Sequence, residues 1–539
     1  MPQGPRHQRL RSIPDFLFFE KLSSFKNVGH KMQLADPTLT LDPSSSRSRS
    51  RSPSPAATDF GRDLTASLSD ELLRRIICAV PGGCIAPFGL VCKRWLRIVD
   101  GLRRSLTLLD WSFLDGPSRR LTSRFCNLAE VDLVPAAFLP LPCASPIVLT
   151  RGPYSLQLDP AADHNAGEVQ FIDSEAINRG LNVLGRGCPG LQRLCTVAPL
   201  DSEEGLATAA IECPTLQELE FHRCSDTSLR PISAFRNLQI VRLVASLEGL
   251  YSGPGLSDIG LTILAHGCSR LVKLELGCCS ASFDGISAVG RCCPMLEELT
   301  ICDDRRMEGG WLAALSYCGN LKTLKLQSCR KIDSLPGPLE HLGSCPAIER
   351  LLLHRCQLRD QKSLKALFMV CESVKEIEFQ HCWGLEEDMF NITSICRFVG
   401  PNAPSLPHQS PPPSPQPRFF PSHPTFSPLA SPHSPISTPA LLLFAPSLSN
   451  VKRLALEGCS KITTEALESV ILSWSDLQRL IVISCNNIKD DEVSPALSNL
   501  FSNLKEFKWR PDSKSVLSVN LHGTGIWKKG GKFFRKSRG

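Results

Sequence analysis

The stretch LQELEFHRC, residues 216–224, carries apolar side chains at its first, fourth and sixth positions and a cysteine at its ninth. The fourth and sixth positions are two apart, so an extended chain turns both to one face. The pattern returns as LVKLELGCC from Leu271, LKTLKLQSC from Leu321, IERLLLHRC from Ile348, VKEIEFQHC from Val374, VKRLALEGC from Val451 and LQRLIVISC from Leu477. Weaker copies begin at Leu191, Leu238, Leu296 and Leu504. Between copies lie segments whose apolar residues recur at three and four, such as DIGLTILAHGC at 258–268 and TTEALESVILSW at 463–474. That spacing predicts one buried helix face per copy.

A strand and a helix of this size cannot bury their apolar faces alone, but stacked units can. Most starts lie 25–27 residues apart, inside the range of roughly 20–29 residues typical of leucine-rich repeats. The expected fold is therefore an α/β solenoid, curved, with a parallel sheet. The chain holds 24 cysteines, no two in CxxC spacing, which weakens a zinc reading. Seven stand at the ninth position: Cys224, Cys279, Cys329, Cys356, Cys382, Cys459 and Cys485. A second set, including Cys188, Cys213, Cys268 and Cys293, precedes the strands by three residues. Both sets read as small buried side chains, and the repeats resemble the cysteine-containing class. Outward strand positions would line the concave face: Glu218, Glu220, His222, Lys273, Glu275, Thr323, Arg350 and Glu376 among them, with Lys325, His354, Glu378, Arg453 and Arg479 as candidate substrate-binding residues. Mixed charge suits a protein partner better than a phosphate backbone.

Ahead of the repeats lies LTASLSDELLRRIICAVPGGCIAPFGLVCKRWLRIVDGLRRSL, residues 64–106. Ser69 followed by Asp70 and Glu71 reads as a helix start. Leu72, Leu73, Ile76, Ile77 and Val80 continue it as an apolar stripe, PGGCIAPFG breaks it, and a second helix is expected over 90–99. About 40 residues make a marginal core, so the module is expected to complete itself against a partner. LSDELLRRI followed by LVCKRW is similar to the F-box, although Ser69 stands where that family usually has proline. The resemblance implies a helical module docking on the Skp-type adaptor of a cullin-based ubiquitin ligase. It also implies Leu68, Leu72, Ile76, Leu90, Val91 and Trp95 as adaptor-binding residues. RLTSRFCNLAEVDL, LSDIGLTILAHGC, CWGLEED and WRPDSKS extend the similarity to a plant group of F-box proteins with leucine-rich repeats. Such proteins recruit a protein substrate for ubiquitin-dependent degradation and are not themselves catalytic.

The net charge of +7 sits in the tails: residues 1–64 carry +4 and residues 522–539 carry +6, leaving −3 for the remainder. A basic nucleic-acid-binding core is not indicated. No apolar run is long enough to span a membrane or to act as a secretory leader, and nuclear or cytoplasmic localisation is expected. No nucleotide-binding loop, nucleophile elbow or HExxH pattern occurs, so no catalytic residue, cofactor or metal is expected. SSSRSRSRSPSP at 44–55 supports an alternative, an RNA-associated protein acting through its leader; a solenoid scaffold without a ligase link is another.

One interval departs from the period. Val374 and Val451 lie 77 residues apart, where neighbouring intervals are 26. Residues 401–446 hold fifteen of the 42 prolines and one charged residue, Arg418. The expectation is an insertion within one solenoid, of lineage-specific or retained-intron origin, rather than a linker between domains. The expected layout is a basic Ser/Arg-rich leader at 1–63, the F-box at 64–106 and repeats at 107–397. A disordered Pro/Ser-rich insertion follows at 398–449, then repeats at 450–521 and a basic tail at 522–539.

Overall fold

The computed structural model describes residues 64–80, 85–115, 120–139, 170–200, 203–247, 251–302, 307–337, 342–384, 448, 450–513 and 515. The leader, most of the Pro/Ser-rich insertion, the loop at 81–84 and the basic tail lie outside them. The chain divides at Ser67 into two units. In the first, the described part is a single 3-10 turn, Leu64–Ser67; everything below concerns the second.

Among the described residues thirteen strands form one parallel sheet in strict chain order. They are β1 Ser105–Thr107, β2 Glu130–Asp132, β3 Arg193–Val197, β4 Glu218–His222, β5 Ile240–Val244, β6 Lys273–Gly277, β7 Glu298–Cys302, β8 Thr323–Gln327, β9 Arg350–His354, β10 Glu376–Gln380, β11 Arg453–Glu457, β12 Arg479–Ile483 and β13 Glu506–Arg510. The fold is a leucine-rich-repeat solenoid. Helices such as Ser174–Gly187, Asp258–Gly267, Phe283–Cys292 and Gln361–Val370 alternate with the strands. The inward positions of the opening motif, Leu216, Leu219, Phe221 and Cys224, are all buried. Their equivalents join one continuous core from Leu108 to Trp509. β1 and β2 precede the eleven copies the period marks. The LAEVDL segment does carry the pattern, with Leu128, Val131 and Leu133 buried, but 63 residues separate Leu128 from Leu191, which hides the period.

The eighth position explains the cysteine at the ninth. In all seven full copies that residue has a left-handed backbone: Arg223, Cys278, Ser328, Arg355, His381 and Ser484 have φ between 50° and 57°, and Gly458 has 65°. Its amide still donates to the last carbonyl of the next strand, as Arg223 does to Val244 at 2.8 Å and Ser484 to Arg510 at 2.9 Å. The chain then reverses, and the ninth side chain enters the core. There the thiol donates to carbonyls of its own and the preceding repeat, Cys356 to His354 and Leu326 at 3.4 Å each. A left-handed non-glycine residue costs on the order of 1 kcal/mol and persists only where its surroundings over-determine it. The second cysteine set ends the helices. Cys293 donates to Cys268 O at 3.5 Å, and Cys213 to Cys188 O at 3.5 Å. Burial pushes these thiols up, to about 11 at Cys213 and about 12 at Cys268 and Cys293, so they remain neutral, unreactive packing groups.

A second ladder joins helix starts. Asp226 Oδ1 accepts from the Ser257 and Gly260 amides at 2.8 and 3.1 Å. One repeat on, Asp258 Oδ1 accepts from Ser282 and Gly285 at 2.8 and 3.0 Å. Each carboxylate thus fills the orphan donors of the next helix. Glycine is required opposite it, because a Cβ on Gly260 would meet Asp226 Oδ1 at 2.5 Å.

The long interval leaves the sheet intact. β10 pairs with β11 over five residues, Glu376 opposite Arg453 through Gln380 opposite Glu457, in the same manner as β9 with β10.

Two outcomes are expected. Asp258→Ala lowers stability by about 2 kcal/mol in urea unfolding, the worth of charge-assisted bonds lost at a partly buried site, whereas Asp284→Ala, exposed on the next helix, changes little. Deleting residues 398–446 leaves the melting temperature and circular dichroism of the solenoid unchanged; a large drop would show that the insertion supports the β10–β11 junction.

Candidate interaction surfaces

Two helices build the first surface, α1 Asp70–Ala79 and α2 Lys93–Leu102. Ser69 caps α1: its Oγ accepts from the Leu72 amide at 3.3 Å, so the residue that stands where the F-box usually has proline serves as an N-cap. Arg94 on α2 ties the same end down, pairing with Asp70 at 2.7 Å and donating to the Leu68 carbonyl. The second helix is shifted from its expected position. Ala86–Leu90 is a 3-10 turn and Cys92 is extended, so Leu90 and Val91 precede the helix instead of opening it.

Leu73, Ile77, Ile98 and Val99 form the hairpin's own small core, separate from that of the solenoid, with Leu68, Phe88 and Trp95 packed against it. The rest of the stripe faces out. Leu72 and Ile76 are each 48% exposed, Val91 61% and Leu90 89%. Of the six expected docking residues, four therefore present apolar surface, while Leu68 and Trp95 are half-buried in the hairpin core. Exposed apolar side chains on a two-helix module make it a candidate interaction surface. α2 runs almost directly into β1. Buried Asp100 pairs with Arg124 at 2.5 Å, and Asn127 Nδ2 donates to Gly101 O at 2.7 Å, fixing the hairpin to the first repeats.

The second surface is the sheet face built by the outward strand positions. Its C-terminal half holds the five expected substrate residues on β8 to β12. Arg453 lies 3.5 Å from Glu378 and 3.7 Å from Glu376, Arg479 lies 2.9 Å from Glu376, and His354 lies 3.6 Å from Glu378. Arg453, Arg479 and His354 thus converge on two carboxylates, Glu376 and Glu378, and His354, with the charges of Arg453 and Lys325, holds the Glu378 carboxyl below its usual range. Lys325 forms no ion pair among the described contacts, although its charge reaches Glu378.

The N-terminal half differs from expectation. Glu220, His222 and Glu275 point outward as the alternation requires, yet all three are buried. Tyr251, from the segment after β5, lies against His222. Phe138 and Phe171 bridge antiparallel, Phe171 meets Tyr251 edge-on at 5.4 Å, and Arg223 lies 4.6 Å from the Phe171 ring. Beneath, His222 Nε2 is 2.9 Å from Glu220 Oε1, and His222 Nδ1 is 2.9 Å from Tyr251 Oη. The carboxylate can only accept, so Nε2 carries the proton and Nδ1 accepts from the tyrosine. Burial keeps that phenol protonated by pushing its titration well up. Arg242 answers the remaining charge, bonding Glu218 and lying 3.4 Å from Glu275, and Arg193 lies 3.4 Å from Glu218. Arg242 sits at the outward position of a weak copy, where sequence could have marked it. Tyr251 and Phe171 lie in connecting segments with no period to mark them. Among the described residues no group of three or more His, Cys, Asp or Glu is placed to hold a metal ion, and no helix is long and apolar enough to cross a membrane.

No family model matches the chain. It is 27% identical over 235 residues to a transport inhibitor response 1-like protein of Oryza sativa subsp. japonica, covering 36% of this chain and 37% of that protein. It is 25% identical over 382 residues to F-box protein MAX2 homolog A of Petunia hybrida, covering 58% and 53%. With human F-box/LRR-repeat protein 12 it shares 23% over 330 residues, covering 57% and 92%. The chain thus spans about a third to a half of the first two relatives. Similar solved structures include an internalin of Listeria monocytogenes, at 12% identity, 66% and 89% coverage and a TM-score of 0.30, and LegL7 of Legionella pneumophila, at 13%, 56% and 88%, and 0.31. Scores of that size add nothing to the architecture read from the chain itself. Two of these relatives are named F-box proteins, and one of the two a leucine-rich-repeat protein as well.

The covered half of the sheet has a pH signature. Burial raises the Asp132 carboxyl above its usual range, only partly offset by the Val134 amide. A raised folded-state value means that stability from the bound proton is present in acid and lost as pH rises through that value. Asp132→Asn, which keeps the Oδ1 acceptor for Val134, is therefore expected to raise the melting temperature at pH 7 and to leave it unchanged at pH 3. An equal effect at both pH values would place the cost elsewhere.

Proposed function

We propose that the chain is the substrate-recruiting, non-catalytic subunit of a cullin-based ubiquitin ligase. The hairpin docks on a Skp-type adaptor, and the solenoid's open sheet face holds a protein marked for degradation. One observation carries this reading: a two-helix module whose own core is four fully buried side chains still presents Leu72, Ile76, Leu90 and Val91 to solvent. A core that small is marginal alone, and those four side chains supply the apolar anchor that an adaptor would cover. The Asp100–Arg124 pair and the short step from α2 to β1 hold docking site and sheet in fixed relation. A receptor of this kind acts by raising the effective concentration of a target lysine beside a charged conjugating enzyme. Similarity to F-box/LRR proteins supports the reading, and the repeated segments named above favour a plant member.

The test is capture of a purified Skp-type adaptor by the full-length chain. Wild type is expected to bind. The Leu72→Asp, Ile76→Asp double variant is expected to lose about thirtyfold or more, the scale of a buried hot spot, with melting unchanged because Leu73 and Ile77 remain. Failure of wild type to bind would overturn the reading.

A further inference from the structure

On β3 to β12 five of the seven outward lysines and arginines are matched by a carboxylate. Arg193, Arg242, Lys273, Arg453 and Arg479 all have ion pairs. Among the described residues of these strands, Lys325 on β8 and Arg350 on β9 have none. Each lies beside a threonine in register: Lys325 is opposite Thr300 on β7, and Arg350 is opposite Thr323 on β8. Thr300 and Thr323 are 2% and 4% exposed, and neither hydroxyl has a hydrogen-bond partner. A buried hydroxyl left unpaired costs about 1–3 kcal/mol. Two such costs, side by side with two unmatched cations, are unusual on a face otherwise neutralised pair by pair.

Glu298 on β7 is already engaged by Lys273 at 2.6 Å, and the two carboxyls that feel the Lys325 charge have partners of their own, Glu275 in Arg242 and Glu378 in Arg453 and His354. Leu352, across from Lys325 on β9, is half-buried and adds an apolar flank. Donors on two adjacent rungs, with their acceptors missing, fit one kind of occupant: an anionic side chain on an extended peptide. The Thr300 hydroxyl and Lys325 ammonium would take one oxygen of the anion, and the Thr323 hydroxyl and Arg350 guanidinium another.

We infer that Thr300, Lys325, Thr323 and Arg350 form an anion cradle that receives an acidic side chain, carboxylate or phosphoryl, of the recruited protein. The inference rests on the receptor reading above. It names the chemistry of the target segment as acidic and places its anchor at the middle of the sheet.

The test uses fluorescein-labelled hexapeptides of glutamate, phosphoserine, glutamine and lysine with the full-length chain, read by anisotropy at low salt. The glutamate or phosphoserine peptide is expected to bind, and the tighter of the two identifies the source of the anion. Binding should weaken about tenfold or more in the Lys325→Gln, Arg350→Gln variant and fall further in the double charge reversal to Glu. Lys508→Gln, an exposed cation on β13, should leave it unchanged. Equal binding of the glutamine peptide, or binding indifferent to both substitutions, overturns the cradle. Loss of peptide dependence with adaptor capture intact sinks the cradle alone, whereas loss of adaptor capture sinks the receptor reading.

Discussion

A five-residue strand turns only two or three side chains inward, and the helix behind it offers one stripe. No single repeat can therefore exclude water from its own apolar groups, and every repeat depends on the next. That dependence imposes a common register, since a slip of one residue would expose Leu219 and Phe221 and bury Glu218 and Glu220 without their partners. The left-handed eighth position, the inward cysteine and the aspartate that caps the following helix all follow from it. Each is a local device that lets one repeat satisfy the polar backbone of its neighbour. Six of the seven eighth positions are not glycine, so the strain is carried by residues whose side chains rarely allow that conformation. The neighbouring strand, which takes the amide, over-determines the conformation.

What was legible in the sequence is what repeats. Leu219, Phe221 and Cys224 announce themselves because the same offsets recur down the chain, and the unbroken pairing of β10 with β11 could be counted before it was seen. What depends on a neighbour in space was not legible. Asp258 reads as an ordinary first-turn acid, and nothing in its local sequence says that it serves the helix after its own. Arg223, Ser328 and Ser484 give no sign of a positive φ. Glu220 and His222 read as solvent-facing, and they are outward; their burial comes from Phe171 and Tyr251, which belong to connecting segments. Leu90 and Val91 read as helix because their apolarity continues a stripe, but extended Cys92 starts the helix three residues later than expected.

The two candidate surfaces differ in how they are held ready. The hairpin presents apolar side chains over a minimal core, so its affinity for a partner would come from area removed from water. The sheet face presents charges arranged in advance by their own ion pairs, so it offers selectivity more than area. In the covered N-terminal half Tyr251, His222 and Glu220 already satisfy one another. The uncovered half, from β7 onward, keeps two hydroxyls and two cations unmatched.

The continuity of β10 and β11 also bears on how much chain a solenoid can carry between its strands. From His354 to Glu376 the connection is 21 residues, and from Gln380 to Arg453 it is 72. The entropy of closing a loop rises with the logarithm of its length, about 0.6 kcal/mol per doubling. The longer connection therefore costs on the order of 1 kcal/mol more, less than the removal of a single leucine from the core. Once a strand pair is fixed by its inward residues, the length of the segment joining it is close to thermodynamically neutral. Such junctions are where new sequence can accumulate without the sheet registering its arrival.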